Sequence, residues 1–265
     1  MKKQVVVITG AGSGLGKSAA IALAKRGHKI YATTHYEIES QKLNKLAKAQ
    51  NLLIESFKLN ILIEDDRKLL NNIDFDVLIN NAAIGDTGSV IETKIYRFKN
   101  TFETNVFANI QITQIALKKF IQKKSGKVIF ISSLLGRIPM AFMAPYSATK
   151  FAIESFASAL KMEVKKLADC NIQIGIIEPG AYMTGFNKKM NEKKYNWMEE
   201  KSYFKYILDE LRKNEQLKFN LLEKKNFNTI ISKYVKAVET NKLKLRYSAP
   251  KFQSFFVQLA RVFGK

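Results

Sequence analysis

Cysteine, histidine and acidic residues are scarce in this 265-residue chain. A single cysteine excludes an intramolecular disulfide, and this usage suits a reducing compartment, so we expect a cytoplasmic protein. The two histidines, His28 and His35, both lie near the start of the chain. A Ser-His-Asp hydrolase or a histidine-rich metal site is therefore poorly supported, and we predict no metal ligands.

Long apolar runs are also missing, and no stretch is long enough to span a bilayer. A strand-like run begins at Val5, so we expect no signal peptide. No repeat, low-complexity tract or linker divides the sequence, whose length is sufficient to bury one sizeable core. We therefore predict a single domain over residues 1–265.

Acidic residues number 23 against 44 lysines and arginines, which gives a formal net charge of +21. A basic surface can bind nucleic acid or anionic lipid. Here the excess is nearly all lysine and is spread along the chain, so we favour a general lysine bias and expect no nucleic-acid partner. An acidic partner, such as an acyl-carrier protein, is the second interpretation. Peripheral contact with an anionic membrane is retained but not favoured.

Short β-branched runs alternate with helical stretches along most of the chain. This alternation is typical of a parallel sheet covered by helices on both faces. It predicts the α/β class, with a doubly wound parallel sheet of about seven strands. The strand-like runs are 5–9, 29–34, 53–58, 77–80, 127–132 and 172–177, with a last strand in the run through 242–247.

The first strand leads into a glycine-rich turn, Thr9 to Gly16, and then into a helical stretch. Glycines let the backbone approach a ligand closely, and a helix N-terminus offers free N–H groups to a pyrophosphate. The spacing is a variant of the dinucleotide fingerprint, although the motif alone is also compatible with a turn that holds no ligand. The predicted contacts are Gly10, Ser13, Gly14, Leu15 and Gly16.

Tyr146 and Lys150 are four residues apart, and Ser133 precedes Tyr146 by thirteen. Residues four apart on a helix share a face. An ammonium beside a phenol favours the phenolate, so we expect Lys150 to lower the pKa of Tyr146 toward the range of a general acid/base. A Ser133 hydroxyl can hold a carbonyl oxygen against that phenol. Ser132 is the neighbouring hydroxyl, but the spacing to Tyr146 favours Ser133.

These motifs together resemble the short-chain dehydrogenase/reductase family, in particular its hydroxysteroid- and retinol-dehydrogenase-like branch. The resemblance implies a Rossmann-type fold, with the cofactor-binding and catalytic core in residues 1–184. It also implies a substrate-covering helical segment, a last strand and a C-terminal amphipathic helix in residues 185–265. The implied catalytic residues are Asn105, Ser133, Tyr146 and Lys150. The matching pieces are Thr9 to Gly16, Asn80 to Ala83, Asn105, Ser133, Tyr146 with Lys150, and Pro179-Gly180 followed by Thr184.

The resemblance also bears on cofactor choice. An Asp at the end of the second strand would bond the adenosine ribose and repel a 2′-phosphate, but this chain has Thr34 there. His35 follows, where related NADP enzymes often carry Arg. The missing acid favours NADP(H), while NAD(H) stays open because neutral His clamps phosphate poorly. The remaining implied cofactor contacts are Asn60, Ile61, Asn81, Ala82, Ala83, Tyr146, Lys150, Pro179, Gly180 and Thr184.

The C-terminal third is expected to select the substrate. The resemblance implies that residues 186–219, a segment with many lysines and several aromatic side chains, cover the substrate and often move. The length of this segment suggests a roomy, largely apolar pocket. We predict an NADP-preferring oxidoreductase that transfers a hydride between nicotinamide and a carbonyl or alcohol group of a small hydrophobic substrate, in a homodimer or homotetramer. The alternatives are a non-catalytic dinucleotide-binding regulator and a ketoacyl-thioester reductase. The candidate pocket residues are Leu134, Met140, Phe142 and Met143, with Tyr195, Trp197, Tyr203, Phe204 and Tyr206 above them.

The last helix carries an apolar stripe with a three- and four-residue recurrence. Such stripes usually face a core, so we expect packing on the domain itself or on a second subunit, with the helix end near the substrate entrance. A substrate gate or a membrane-surface helix is the alternative. The stripe consists of Phe252, Phe255, Phe256, Leu259, Val262 and Phe263.

Overall fold

The computed structural model describes residues 2–198 and 202–264. Seven strands form one parallel sheet in the order β3-β2-β1-β4-β5-β6-β7. The strands are β1 Val5–Ile8, β2 Lys29–Thr34, β3 Ile54–Lys58, β4 Val77–Asn80, β5 Ser125–Ile131, β6 Asn171–Pro179 and β7 Arg246–Ala249. The helices are α1 Gly14–Lys25, α2 Glu37–Ala49, α3 Glu64–Lys68, α4 Ile95–Phe102, α5 Ala108–Gln122, α6 Ala144–Val164, α7 Phe186–Tyr195, α8 Leu208–Leu222, α9 Asn228–Glu239 and α10 Lys251–Val262.

The sheet is covered on both faces, as the apolar strand sequences predict. Successive side chains of a strand point to opposite faces. In β1, Val6 and Ile8 join the apolar cluster that includes residues of α1, α2 and α9. Val7 joins the other cluster, formed with α5 and α6. The core therefore has two halves, one on each face of the sheet.

The strand order reverses beside β1, whose neighbours are β2 and β4. At such a switch point the connections leave toward opposite faces and open a crevice at the carboxyl ends of the strands, where ligands bind. The glycine-rich turn after β1 and the chain after β4 therefore meet there. Thr9 Oγ1 accepts hydrogen bonds from the backbone N–H groups of Asn81 and Ala82, each at 3.0 Å.

The last strand, predicted in the run through 242–247, begins at Arg246. Leu243 lies against Gly175 of β6, and a Cβ on Gly175 would be 2.9 Å from the Leu243 side chain. The Leu243 backbone N–H donates to Gln173 Oε1 at 2.6 Å. The chain before β7 is thus held to β6 by this apolar contact and by several hydrogen bonds, which include one from the Ile176 N–H to the Leu245 carbonyl at 2.7 Å.

Helices α7 and α8 form a separate layer over the open edge of the crevice. The Lys194 side chain is buried and its Nζ bonds both carboxylate oxygens of Glu215 at 2.7 Å, while Tyr195 donates to the same carboxylate at 2.8 Å. These bonds tie α7 to α8. Within residues 2–198 and 202–264, no helix is both long enough and apolar enough to cross a membrane.

Candidate active site

A cavity of about 1490 Å³ opens at the carboxyl ends of the strands. Pockets for one small molecule commonly measure about 300–1,000 Å³. The cavity extends from the glycine-rich turn, past the end of β5, to the apolar side chains of α7, α8 and α10. It therefore has room for a dinucleotide and a second molecule.

The glycine-rich turn is shaped for close backbone approach. Gly10 and Gly14 have positive φ angles of 64° and 56°, which favour glycine. A Cβ on Gly10 would lie 2.7 Å from Ala82 Cα, and one on Gly16 would collide with Asn81 Nδ2. The turn is followed directly by the N-terminus of α1, which offers N–H groups to a phosphate. These features fit a nicotinamide dinucleotide.

Most predicted site residues border this one cavity. Thr34 and Asn105 are the two that do not. The residues that do are Gly10, Ser13, Gly14, Leu15, Gly16, His35, Asn60, Ile61, Asn81, Ala82, Ala83, Ser133, Tyr146, Lys150, Pro179, Gly180 and Thr184.

Thr34 is fully buried, and its hydroxyl donates to the Tyr36 carbonyl at 2.9 Å. It shapes the turn after β2 instead of facing the cavity. His35 and Tyr36 are the residues that border the cavity there. Glu39 also approaches this end, since a Cβ on Gly12 would stand 2.7 Å from its Oε2. The second strand thus places a histidine and, one helical turn further, a carboxylate near the glycine-rich turn.

Tyr146 lies near the start of α6 with its side chain almost entirely buried. Ser133 lies two residues after the end of β5. Its hydroxyl forms a hydrogen bond with the Tyr146 phenol and also accepts a hydrogen bond from the Leu135 N–H at 3.2 Å. The neighbouring Ser132 hydroxyl is buried and has no hydrogen-bond partner in the described residues. Lys150 Nζ stands 5.5 Å from the centre of the Tyr146 ring. Serine, tyrosine and lysine therefore converge at one wall of the cavity.

The pKa of Tyr146 does not follow the expectation from sequence. Burial raises it well above the ordinary value for a phenol, and the Ser133 hydrogen bond acts weakly in the opposite direction. Lys150 is not among the groups that shift the pKa of Tyr146, and its Nζ donates to the Ile131 carbonyl at 2.8 Å. At neutral pH Tyr146 consequently holds its proton.

Burial lowers the pKa of Lys150 to about 8, and the carboxylate of Glu154 acts against this effect. Glu154 is one helical turn further along α6 and accepts from Arg246 Nε at 2.9 Å. Arg246 Nε is also 3.4 Å from Glu178, a fully buried carboxyl at the end of β6. Burial, followed by the charge of Glu154, raises the pKa of Glu178. A largely buried group of charges, Glu154, Arg246 and Glu178, thus lies next to Lys150. Sequence reasoning did not identify this group, although the four-residue spacing from Lys150 to Glu154 was visible.

Asn105 lies in a π-helical turn, Glu103–Phe107, between α4 and α5. Such turns often occur at functional sites. Its side chain bonds both backbone groups of Ile84, accepting from N–H and donating to C=O at 2.8 Å each, and donates to Thr149 Oγ1 at 3.1 Å. The structure thus shows Asn105 joining the loop after β4 to α6, the helix that carries Tyr146 and Lys150.

The loop after β4 has further anchors, two of which sequence reasoning missed. Asn81 Nδ2 donates to the carbonyls of Thr9 and Gly10 at 2.9 and 3.0 Å, and its Oδ1 accepts from the Tyr234 hydroxyl at 3.3 Å. Asn109 donates to the Ala82 carbonyl at 3.3 Å. Thr9 was visible as part of the motif, whereas Asn109 and Tyr234 lie far along the chain and carried no local signal.

The outer part of the cavity is apolar, as predicted. Leu134, Met140, Phe142 and Met143 all border it. The five predicted aromatics above them do not: Tyr195, Trp197 and Phe204 belong to a separate apolar cluster, while Tyr203 and Tyr206 are exposed. The aromatic wall is formed instead by Phe186, Phe219, Phe252 and Phe256.

Comparison with known proteins agrees with this geometry. The family described as short chain dehydrogenase matches residues 4–195. A probable short-chain type dehydrogenase/reductase, VdlC, of Helicobacter pylori is 32% identical over 185 residues, which cover 69% of this chain and 67% of that protein. The 3-ketodihydrosphingosine reductase of Bacteroides thetaiotaomicron is 30% identical over 192 residues, covering 72% and 68%. The chain belongs to the short-chain dehydrogenase family and is an NAD(P)-dependent dehydrogenase/reductase.

Solved structures share the whole fold. A short-chain dehydrogenase/reductase from Burkholderia phymatum, in complex with NAD, superimposes with a TM-score of 0.82 at 18% identity, covering 98% of this chain and 94% of that one. A variant actinorhodin polyketide ketoreductase with NADPH gives 0.79 at 20% identity, covering 93% and 95%. At these identities the likeness establishes the fold, and the choice between the two cofactors is a separate question.

Proposed function

We propose that this protein is an NADP-preferring oxidoreductase that interconverts a carbonyl and an alcohol group on a hydrophobic small molecule. The observation that carries the proposal is the convergence of Ser133, Tyr146 and Lys150 in a cavity that begins at a glycine-rich turn. One group there can hold a substrate oxygen, one can exchange a proton with it, and one is a buried cation.

The cofactor would be held along the switch-point crevice. The backbone of the turn, Gly10 to Gly16, and the N-terminus of α1 would take the pyrophosphate. Asn81, Lys150, Pro179, Gly180 and Thr184 would surround the remaining half. A nicotinamide dinucleotide bound there supplies the hydride.

The chain's own residues would manage the proton. Tyr146 keeps its proton at neutral pH because burial raises the pKa of its phenol. As the substrate oxygen gains negative charge, Tyr146 would donate that proton to it, and Ser133 would hold the oxygen by a hydrogen bond. Lys150, held by a hydrogen bond to the Ile131 carbonyl, would place a positive charge near the phenolate that forms as the proton leaves, whereas in the resting site burial dominates the pKa of Tyr146.

The preference for NADP rests on the end of β2. Position 34 is a threonine and not an aspartate. His35 borders the cavity, and its side chain is exposed. The Glu39 carboxylate lies near Gly12 of the glycine-rich turn, and its charge opposes a 2′-phosphate. We propose that His35 and the basic surface outweigh it. Tighter binding of NADH than NADPH by the unaltered protein would contradict this preference.

The substrate class follows from the outer cavity. Methionine and aromatic side chains line it, and a relative is named for the ketone 3-ketodihydrosphingosine. A carbonyl on a long apolar chain would place its oxygen at Ser133 and Tyr146 while its chain follows Met143, Met190 and Phe219.

The proposed assembly is a homodimer or homotetramer. Helices α4 and α6 and the π-helical turn expose apolar side chains away from the cavity, which a second copy would cover. These side chains are Ile95, Tyr96, Phe107, Phe151, Phe156 and Met162. Light scattering of the purified protein measures the state directly.

The test is a substrate screen with both cofactors. Aldehydes and ketones of increasing chain length, and a ketoacyl thioester, are offered with NADPH or NADH, and oxidation is followed by the absorbance of the reduced nicotinamide. We expect turnover that rises with chain length and is faster with NADPH. Tight cofactor binding with no turnover of any substrate would favour a dinucleotide-binding regulator instead.

A further inference from the structure

The C-terminal helix α10 packs with its polar side inward. Gln253 donates to the Leu222 carbonyl at 2.8 Å and accepts the Ala181 N–H at 2.9 Å. Ser254 donates to Ser248 at 2.7 Å, and Gln258 accepts from Arg137. Val257 is the one buried apolar side chain on the helix. Hydrogen bonds therefore hold α10 in place.

The apolar stripe consequently faces outward. We call Phe252, Phe255, Phe256, Val262 and Phe263 the phenylalanine face; their exposed fractions are 71, 61, 63, 65 and 73%. We expected the stripe to pack on the chain's own domain or on a second subunit; the chain's own domain leaves most of it exposed, and packing on a second subunit stays a prediction. A contiguous exposed apolar face of this kind marks an interaction surface.

The phenylalanine face continues into the cavity. Phe252 and Phe256 border both the outer surface and the cavity. Leu221, at the end of α8, is 81% exposed, and the next residue is bonded to Gln253. Apolar side chains therefore extend from the exterior to the cavity that is proposed for an apolar substrate.

Positive charge accompanies this surface. Residues 240–265 contain six lysines and arginines and no aspartate or glutamate, within a chain of net charge +21. On α10 itself, Lys251 and Arg261 lie near the two ends and are exposed. A helix with an apolar face and cations is suited to the interface of an anionic bilayer, where aromatic side chains enter the acyl boundary and cations meet headgroups.

We propose that α10 docks the protein on an anionic lipid surface through the phenylalanine face, with the cavity mouth against the membrane. A second copy of the chain is the less favoured occupant, because α4 and α6 offer a separate apolar face to it. Delivery of substrate from the bilayer rests on the proposed function, whereas membrane binding itself does not.

The test is sedimentation of the full chain with vesicles. Vesicles of pure phosphatidylcholine are compared with vesicles that contain about one third phosphatidylglycerol. We expect binding to the anionic vesicles that falls with added salt. No binding to them overturns the proposal.

Paired variants assign the binding to α10. Phe255→Ser with Phe263→Ser, two positions outside the cavity, should weaken vesicle binding at least about tenfold, and should leave turnover of a short soluble ketone unchanged. Phe156→Ser with Met162→Ser on α6 is the matched control and should bind vesicles as before. Equal loss of vesicle binding in both pairs overturns the proposal. It is also overturned if the wild-type protein is a dimer and only the α10 substitutions dissociate it.

Charge variants give a second, fold-neutral test. Lys251→Glu with Arg261→Glu should weaken binding about tenfold or more, while Lys45→Glu with Lys48→Glu on α2 should change it little. Similar losses would show diffuse attraction by net charge and overturn the proposal. Vesicle binding without turnover refutes only the enzymatic proposal, and turnover without vesicle binding refutes only the docking.

Discussion

The inner wall and the outer rim of the cavity are built by different means. The inner wall, formed by the ends of β1, β4, β5 and β6 with the start of α6, is held by wholly or partly buried side chains that bond backbone groups, as Asn105 and Asn81 do. The outer rim, formed by α7, α8 and α10, is held by the Lys194–Glu215 ion pair and several side-chain hydrogen bonds, and it leaves large apolar side chains exposed. A rigid wall suits proton transfer, which needs fixed distances, whereas an exposed apolar rim suits entry of a long substrate.

The largest effect is expected at the inner wall. Tyr146→Phe removes the proton donor but keeps the ring and its packing, so turnover should fall by about 10²- to 10⁴-fold. Cofactor affinity, measured by fluorescence titration of the reduced nicotinamide, should change little. Substantial remaining activity would rule out Tyr146 as the acid.

Lys150→Ala should differ from Tyr146→Phe in kind. Turnover should fall by a comparable factor, about 10²-fold or more, and cofactor binding should weaken as well, since Lys150 is proposed to contact the nucleotide. The same titration separates the two variants. Unchanged cofactor affinity in Lys150→Ala would confine this lysine to the proton step.

A change in the outer rim should affect the substrate and spare the chemistry. Glu215→Gln leaves the buried Lys194 ammonium without its counter-charge and loosens α7 from α8. We expect kcat/KM for a long-chain ketone to fall roughly tenfold through KM, with cofactor affinity retained. Glu210→Gln, on the same helix, is the control. A fall in kcat with an unchanged KM would show that Glu215 acts in the chemical step. The functional difference between inner wall and outer rim would then not hold.

Cofactor preference tests the part of the cavity between the end of β2 and the glycine-rich turn. Glu39→Gln removes a carboxylate near the glycine-rich turn and should raise the ratio of NADPH to NADH affinity about tenfold. His35→Arg should act in the same direction through a fixed charge that can bind phosphate in two places. Competitive titration with both reduced cofactors measures the ratio. If the ratio is unchanged in both variants, residues other than His35 and Glu39 discriminate between the two cofactors.

The smallest effect concerns pH. The Glu154 carboxylate raises the pKa of Lys150, which burial otherwise lowers, so Glu154→Gln should lower that pKa further. Lys150 then loses its charge at lower pH, and the alkaline limb of kcat/KM should move to lower pH. Glu163→Gln, exposed on the same helix, should leave the profile in place. A shift to higher pH in Glu154→Gln would contradict the sign of this coupling.

Much of the inner wall was predictable from sequence because its signals are local. A strand, a glycine-rich turn and a helix follow one another between Val5 and Lys25, and the spacing of Tyr146 and Lys150 places both on one helix face. Such patterns are fixed by backbone geometry over a few residues. The glycine spacing is also local and visible in the sequence, whereas the reason that Gly10 and Gly16 have no space for a side chain lies in the distant Ala82 and Asn81.

The tertiary structure decided what depends on distant contacts. Thr34 turned inward because the chain bends at Tyr36, and Glu39 reached the glycine-rich turn through the placement of α2. Desolvation, which exists only in the folded protein, set the direction of the Tyr146 pKa. The sequence of α10 determined that it is an amphipathic helix, but its direction was decided by the partners that Gln253 found at Leu222 and Ala181. Periodicity specifies that a helix has two faces, and only the contacts of the folded chain specify which of them is buried.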